Sequence, residues 1–506
     1  MTLAGASISA VKWDYAGTAT RAVSSLAVTV VLARILGPEP FGLIAIAWLV
    51  IGLGNLVADL GMGPALVQRG TISDSEIRYA FTIQVATGVG LMAILAVSAP
   101  VIAGVFNQPA VIPVIRALSA VFVLQALGVT AVSLLERQMN FKTIQAARIS
   151  SYVIGFLMLG IPLALFGFGV WSLIVAQLSQ AGLFSTISYL QVRHEIKPLL
   201  SPPSNSLLGF GVKVLLLNIV NWTISNIDSL FVGRFFDVLT LGLYNRAMVL
   251  VMTPMHNIVI TLQHVMFSTY SRAQHDLNTV RKVYLASVGF MSMVMFPLYG
   301  CVALVPGTII HGLFGRDWNS ATPLLVPLAL AMPFHAVMAA AGPLLWATNR
   351  VEREFRAQFL TLFILVIILL VVARISVTAM VWGVLAVSIS RFFLVTHASL
   401  KTVTADWRSV LKAMRGGMLL IIPTGATVLF CDRLVPSLHD SVFLRLVLDA
   451  FVGAATLLTI VCLSPRLVFS GEMCWLFERI ASHVPSSVRT LMRKMVPLGT
   501  SAPATG

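Results

Sequence analysis

Apolar runs of about 20 residues recur along nearly the whole chain, separated by short polar connections. In hydrocarbon, every backbone N–H and C=O must be bonded within the protein, so runs of this length can only be helices that cross a bilayer. The fold class that follows is all-α and polytopic. Composition agrees: 58% of the 506 residues are hydrophobic and 10% charged, against roughly 25% charged in a soluble domain. Too few charges exist to surface a soluble fold of this length. The net charge of +15, from 34 Lys plus Arg against 19 Asp plus Glu, therefore points to orientation in a membrane rather than to nucleic acid.

A sliding hydropathy window predicts about fourteen spans, the first near 18–36, the seventh near 207–233 and the last near 443–464. Every connection is short, and the longest interior one, 193–206, carries Pro198, Pro202 and Pro203 as a linker would. Residues 1–17 lack the apolar core and cleavage site of a signal peptide, so the first helix is expected to be retained. Basic residues cluster in alternate connections: Arg69 and Arg78; Arg137, Lys142 and Arg148; Arg193 and Lys197; Arg272, Arg281 and Lys282; Arg350, Arg353 and Arg356; Lys401, Lys412 and Arg415. The positive-inside rule then places both termini in the cytoplasm, which requires an even number of spans.

An internal repeat organises these spans. Arg34, Phe41, Gly42 and Leu43 recur as Arg234, Leu241, Gly242 and Leu243, with small Ala33 and Gly233 before each arginine. Phe106 followed by Pro113 recurs as Phe314 followed by Pro323, and Val170-Trp171 with Ser179-Gln180 as Val381-Trp382 with Ser390-Arg391. Three matches in the same order define a six-helix unit, and an even-numbered unit repeats in parallel orientation. The expected organisation is a lobe over 1–200, a second over 201–400, two additional helices over 401–464, and a basic, amphipathic tail over 465–506 that lies along the inner leaflet. Gly37-Pro38 and Gly242 read as turn residues.

The chemistry lies in polar residues inside the spans, which are costly in lipid and so face a cavity or a partner helix. Asn218, Asn221, Ser225 and Asp228 share one face of span seven, with Lys213 at its edge, and Thr18, Arg21 and Ser25 take the matching positions in span one. Arg246, Thr253, Asn257 and His264 share a face of span eight, near His256, and Arg391 lies inside span twelve. Interhelical hydrogen bonding is the bland reading of the Asn, Ser and Thr residues, and snorkelling that of Arg148 and Lys213. A water-filled lumen better accounts for Arg21 and Asp228 taken together. No phosphate-binding loop, His-Glu-x-x-His or Asp-x-Asp motif is present, and neither a catalytic residue, a metal ligand nor a cofactor is expected.

Leu32-Ala33-Arg34-Ile35-Leu36-Gly37-Pro38, Asp59-Leu60-Gly61, Leu135-Glu136-Arg137 with Asn140-Phe141, Gly169-Val170-Trp171-Ser172-Leu173 and Gly242-Leu243-Tyr244 with Ala247 resemble bacterial polysaccharide-unit flippases. They resemble most the exopolysaccharide and colanic-acid branch of the multidrug/oligosaccharidyl-lipid/polysaccharide superfamily. The resemblance covers roughly residues 10–400, with Asp237 standing where the second copy of the turn would carry Gly. It implies a V-shaped bundle with a central cavity, passing an undecaprenyl-diphosphate-linked oligosaccharide across a bacterial inner membrane by alternating access. Polysaccharide polymerase and export machinery are the implied partners, beside membrane lipids. Arg21, Lys213, Asn218, Asn221, Asp228, Arg246 and Arg391 are then candidates for the substrate cavity, and Asp228, His256 and His264 for ion coupling. A multidrug exporter of the same superfamily, or a membrane polymerase or glycosyltransferase, is the alternative. The basic candidates speak against the first, and the lack of a large outer loop or acidic cluster against the second.

Overall fold

The computed structural model describes residues 3–58, 63, 66–67, 72–200, 208–274, 276–434 and 442–481. Among them twelve helices are long and apolar enough to cross a membrane. These are α2 (Pro38–Ala58), α3 (Asp74–Val105), α4 (Val111–Arg137), α5 (Phe141–Leu165), α6 (Val170–Val192), α8 (Val238–Ala273), α9 (Leu277–Leu304), α10 (Arg316–Ala347), α11 (Val351–Val372), α12 (Val377–Val403), α13 (Trp407–Leu434) and α14 (Val442–Leu463). The first and seventh of the fourteen expected spans coincide with α1 (Leu3–Leu36) and α7 (Leu208–Phe235). Both are long enough to cross, at 34 and 28 residues. The described residues contain no strand, and the protein is a multi-pass helical membrane protein.

Local chemistry sets where helices begin. Ser73 accepts from the Glu76 amide at 3.3 Å while Glu76 accepts from the Ser73 amide at 2.9 Å, a capping box at the start of α3. Asn140 caps α5, Asp276 caps α9 and Ser376 caps α12. Asp237 does the same for α8, accepting from the Thr240 amide at 2.9 Å. This explains how an aspartate stands where the first repeat has Gly37, whose φ is 69°. The second copy closes its turn with a side-chain cap and does not use the left-handed backbone.

The chain packs as two compact units, Met1–Asn245 and Arg246–Gly506. In the first, α3 packs on α4 and α4 on α6; in the second, the equivalent helices α9, α10 and α12 pack in the same pairs. The extra helix α13 packs along α9, and α14 on α13. A tail helix, α15 (Gly471–Ala481), is seated on α9. Its Met473 is buried, and its Trp475 ring lies 5.2 Å from both the Lys282 ammonium and the Arg479 guanidinium.

Within the first unit, α2 and the start of α8 meet at two glycines. A Cβ on Gly42 would lie 1.9 Å from the Val238 carbonyl oxygen, and one on Gly242 would lie 2.0 Å from the Pro38 carbonyl oxygen. Gly242 is therefore no turn residue, as the sequence suggested. It sits inside α8 and, like Gly42 inside α2, lets two backbones touch.

One irregular segment bears on the site. Within α5, residues Val153–Gly160 form a π-helix, followed within two residues by Pro162, which has no N–H to donate. A Cβ on Gly155 would lie 2.7 Å from the Ala176 carbonyl oxygen, so this stretch approaches α6 closely.

Candidate functional site

A cavity of about 740 Å³ opens inside the first unit, lined from α1, α4, α5 and α6. Helical spacing brings its polar groups together. On α4, Gln125, Val129, Val132 and Glu136 follow one face; on α5, Arg148 and Ser151 lie one turn apart; on α6, Gln177, Gln180 and Phe184 do the same. Arg21 of α1 adds a second guanidinium. Two cations and one carboxylate leave a net positive lining, among amides and hydroxyls that can both donate and accept. The Arg148 guanidinium sits 5.6 Å from the centroid of the Phe184 ring, which fixes the cation over an apolar floor.

Of the residues singled out in sequence, Arg21 lines this cavity. Arg148, for which snorkelling was an equal reading, lines it too. The side chains of Lys213, Asn218 and His264 lie outside the described residues, as does Asp59. Asn221 is exposed, and so is Ser225, which donates to the Asn221 carbonyl at 2.9 Å. Asp228, on the same predicted stripe, is 6% exposed and accepts from the Tyr244 hydroxyl at 2.5 Å and the Ser229 amide at 2.7 Å. Tyr244 is itself fully buried, so Asp228 ties α7 to α8 within the first unit.

The second unit holds a separate polar network. Arg391 Nε donates to Gln358 Oε1 at 3.0 Å, and Trp346 Nε1 donates to Glu354 Oε2 at 2.6 Å. Glu354 bonds Gln358 and faces Arg391, while His335 faces both Arg391 and His256. Arg246 lies half-buried on α8. The network thus gathers two predicted residues, Arg391 and His256, with three that sequence reasoning missed: His335, Glu354 and Gln358. Glu354 and Gln358 are four apart on α11 and face Arg391 of α12, a spacing legible only once that pairing is known. By the third repeat match Gln180 is the counterpart of Arg391. Each sits in the polar interior of its own unit.

The family model of polysaccharide biosynthesis proteins matches residues 31–323. Over 304 residues the chain is 27% identical to the teichuronic acid biosynthesis protein TuaB of Bacillus subtilis (strain 168), covering 60% of this chain and 63% of that protein. It is 25% identical over 374 residues to the lipopolysaccharide biosynthesis protein WzxC of Escherichia coli (strain K12), covering 72% and 75%. With the succinoglycan biosynthesis transport protein ExoT of Rhizobium meliloti (strain 1021) the identity is 27% over 308 residues, covering 60% and 61%. The matches to TuaB and ExoT thus span less than two thirds of those proteins. In fold the chain is similar to the lipid II flippase MurJ in an inward closed conformation, with a TM-score of 0.70 at 13% identity over 90% of this chain and 99% of that one. It is also similar to an inward-facing multidrug resistance MATE family transporter of the MOP superfamily, at a TM-score of 0.55 and 14% identity over 75% and 92%. A family match over 31–323 of 506 residues, on a fold shared with MurJ, places this multi-pass membrane chain in the polysaccharide biosynthesis protein family.

Proposed function

We propose that the protein passes a lipid-diphosphate-linked oligosaccharide repeat unit across a bacterial cytoplasmic membrane by alternating access. The observation that carries this reading is the placing of Arg21 and Arg148 among Gln and Ser side chains in one cavity of about 740 Å³ inside an apolar helical unit. Ionised groups at such depth are costly unless hydrated or paired, and a cavity meets that need. Guanidinium pairs diphosphate oxygens through two parallel N–H bonds, and amides and hydroxyls suit sugar hydroxyls. The volume lies within the ~300–1,000 Å³ of ligand pockets, so it takes a head group while the polyprenyl chain stays in lipid.

In this reading both termini are cytoplasmic, and the working halves are 1–200 and 201–400, followed by two additional helices over 401–464 and a cytoplasmic tail. The basic loops and tail attract the anionic inner leaflet. The chain is a transporter and no enzyme, delivering its cargo to a polysaccharide polymerase and export machinery. Its sequence carries no nucleotide-binding loop, so the step runs on an ion gradient or on the downhill movement of the cargo. Asp228, His256 and His264 are the proposed coupling groups, and Lys213, Asn218, Asn221, Arg246 and Arg391 complete the cargo path.

Deletion of the gene tests the reading. Polymer should disappear while lipid-linked repeat units accumulate on the inner leaflet, and the intact gene should restore export. Normal polymer with altered drug tolerance would overturn it in favour of a multidrug exporter.

A further inference from the structure

The two helices beyond the repeated twelve hold a charged cluster that takes no part in the cavity or in the Arg391 network. Asp449, in the second turn of α14, is 3% exposed, and among the described residues neither of its carboxylate oxygens makes a well-formed hydrogen bond, the Cys431 thiol lying beside it. Its neighbour Asp432 on α13 is satisfied: Arg445 Nε lies 2.7 Å from Asp432 Oδ1, and Thr308 Oγ1 donates to that oxygen at 2.8 Å. Arg445 donates its second nitrogen to the Asp432 carbonyl. Among the described residues, the charged and titratable groups facing Asp449 are Asp432 and Cys431 of α13, Arg445 of α14 and Cys301 of α9.

Two carboxylates and one guanidinium leave the cluster with one excess negative charge when both acids are ionised. Arg445 is committed to Asp432. Asp449 is then a carboxylate out of water and beside a like charge, with the weakly donating Cys431 thiol next to it. Desolvation and repulsion both disfavour that state. A proton removes the excess charge, and the protonated carboxyl can give its O–H to the neighbouring carboxylate. A metal ion fits less well: among the described residues no group of three or more His, Cys, Asp or Glu is gathered to hold one.

We propose that Asp449 is a proton-binding site on α13 and α14, taking up one proton that it shares with Asp432. One O–H bond forms on an Asp449 oxygen as one proton leaves the solvent, and the same bond breaks on release. This site stands apart from the transport reading, and failure of either leaves the other untouched.

Infrared difference spectroscopy of the full-length protein in lipid nanodiscs, recorded against pH, tests the assignment. The wild type should show a carboxylic-acid C=O band that titrates and that shifts when aspartate is labelled with ¹³C. The band should be lost in Asp449→Asn. In Asp449→Glu it should leave the aspartate-labelled set and reappear at another frequency, so this variant decides the question even if the asparagine form fails to purify. A titrating band unchanged in both variants overturns the proposal. So does a band in the wild type that sodium abolishes at fixed pH, which would assign the site to a metal cation.

Discussion

Gly42 and Gly242, 200 residues apart and equivalent in the repeat, make reciprocal contacts: Gly42 on the backbone of Val238, and Gly242 on that of Pro38. Each glycine of one copy meets the first helical residue of the other. This is the pattern of a two-fold contact, in which residue i touches j' and i' touches j. The two glycines matched in sequence therefore meet within the first unit at a seam made of backbone.

A seam of this kind tolerates no Cβ. The atom a methyl would meet is a carbonyl oxygen at 1.9 or 2.0 Å, and a backbone cannot swing aside as a flexible side chain does. Gly42→Ala and Gly242→Ala should each cost at least the ~1–3 kcal/mol of an overpacked core. Gly90→Ala, where nothing lies within 4 Å, should be neutral or stabilising on helix propensity alone. Thermal unfolding of the detergent-purified variants checks the contrast, and equal midpoints for all three would refute it.

The two cavity arginines should matter for cargo and little for folding. A charge-assisted hydrogen bond contributes about 1.5–3 kcal/mol, so Arg21→Ala and Arg148→Ala should each lower polymer export roughly tenfold or more at unchanged protein level. Arg148→Lys keeps charge but loses the planar fork, and should recover only part of the activity. Export measured at matched membrane abundance decides it; full activity in either alanine variant removes that residue from the cargo site.

Arg391 is held by Gln358 and faces Glu354 and His335. Removing it leaves the Glu354 carboxylate with Trp346 and Gln358 but without the guanidinium it faces. Arg391→Ala should therefore destabilise by about 1–3 kcal/mol, and Glu354→Gln in the same chain should restore part of that loss. A double-mutant cycle on unfolding free energies reads the coupling directly. Strict additivity would mean that the two groups do not interact.

The segment after α6 should respond to pH. His194 is 8% exposed, edge-on to Phe81 and Tyr189 with ring centroids at 5.2 and 5.3 Å. Its neighbours are tied to α3 by Arg78 Nε to the Lys197 carbonyl at 3.1 Å and by the Leu199 amide to Thr82 Oγ1 at 3.0 Å. Burial pushes the His194 pKa below its ordinary 6.5, against a smaller opposing effect of the Glu195 carbonyl. Above 6.5 the ring is neutral whether docked or free, and docking is at full strength. As pH falls below 6.5 the freed ring takes a proton that the docked ring resists, so docking weakens. Hydrogen exchange over 193–199 should quicken from pH 8 to pH 5.5 beyond its intrinsic pH dependence, and His194→Gln should abolish the excess.

How much of this was legible beforehand follows from what a bilayer does to sequence. Hydropathy marks spans because unpaired backbone cannot enter lipid, and the repeat survives as a few residues at helix starts, where backbones touch or turn. Arg21 and Arg391 stood out as charges at depth, and the structure sets each in a polar interior, one in the α1–α6 cavity and the other in the network of α10 to α12. Arg148 could not be told from a snorkelling residue, because reach to the interface and reach into a cavity look alike along a single helix. Glu354, His335, Gln358 and the glutamines of α4 and α6 were missed for a related reason. In a soluble helix the polar face is the wet one, but here lipid and protein core are equally apolar, so periodicity does not say which face turns inward. The sequence by itself determined a membrane chain of repeated helical units, because span length and backbone satisfaction are local properties. Only the tertiary structure decided which polar groups share a cavity, that Gly242 is a contact rather than a turn, and that Asp449 lies buried beside Asp432, because each depends on which helices become neighbours.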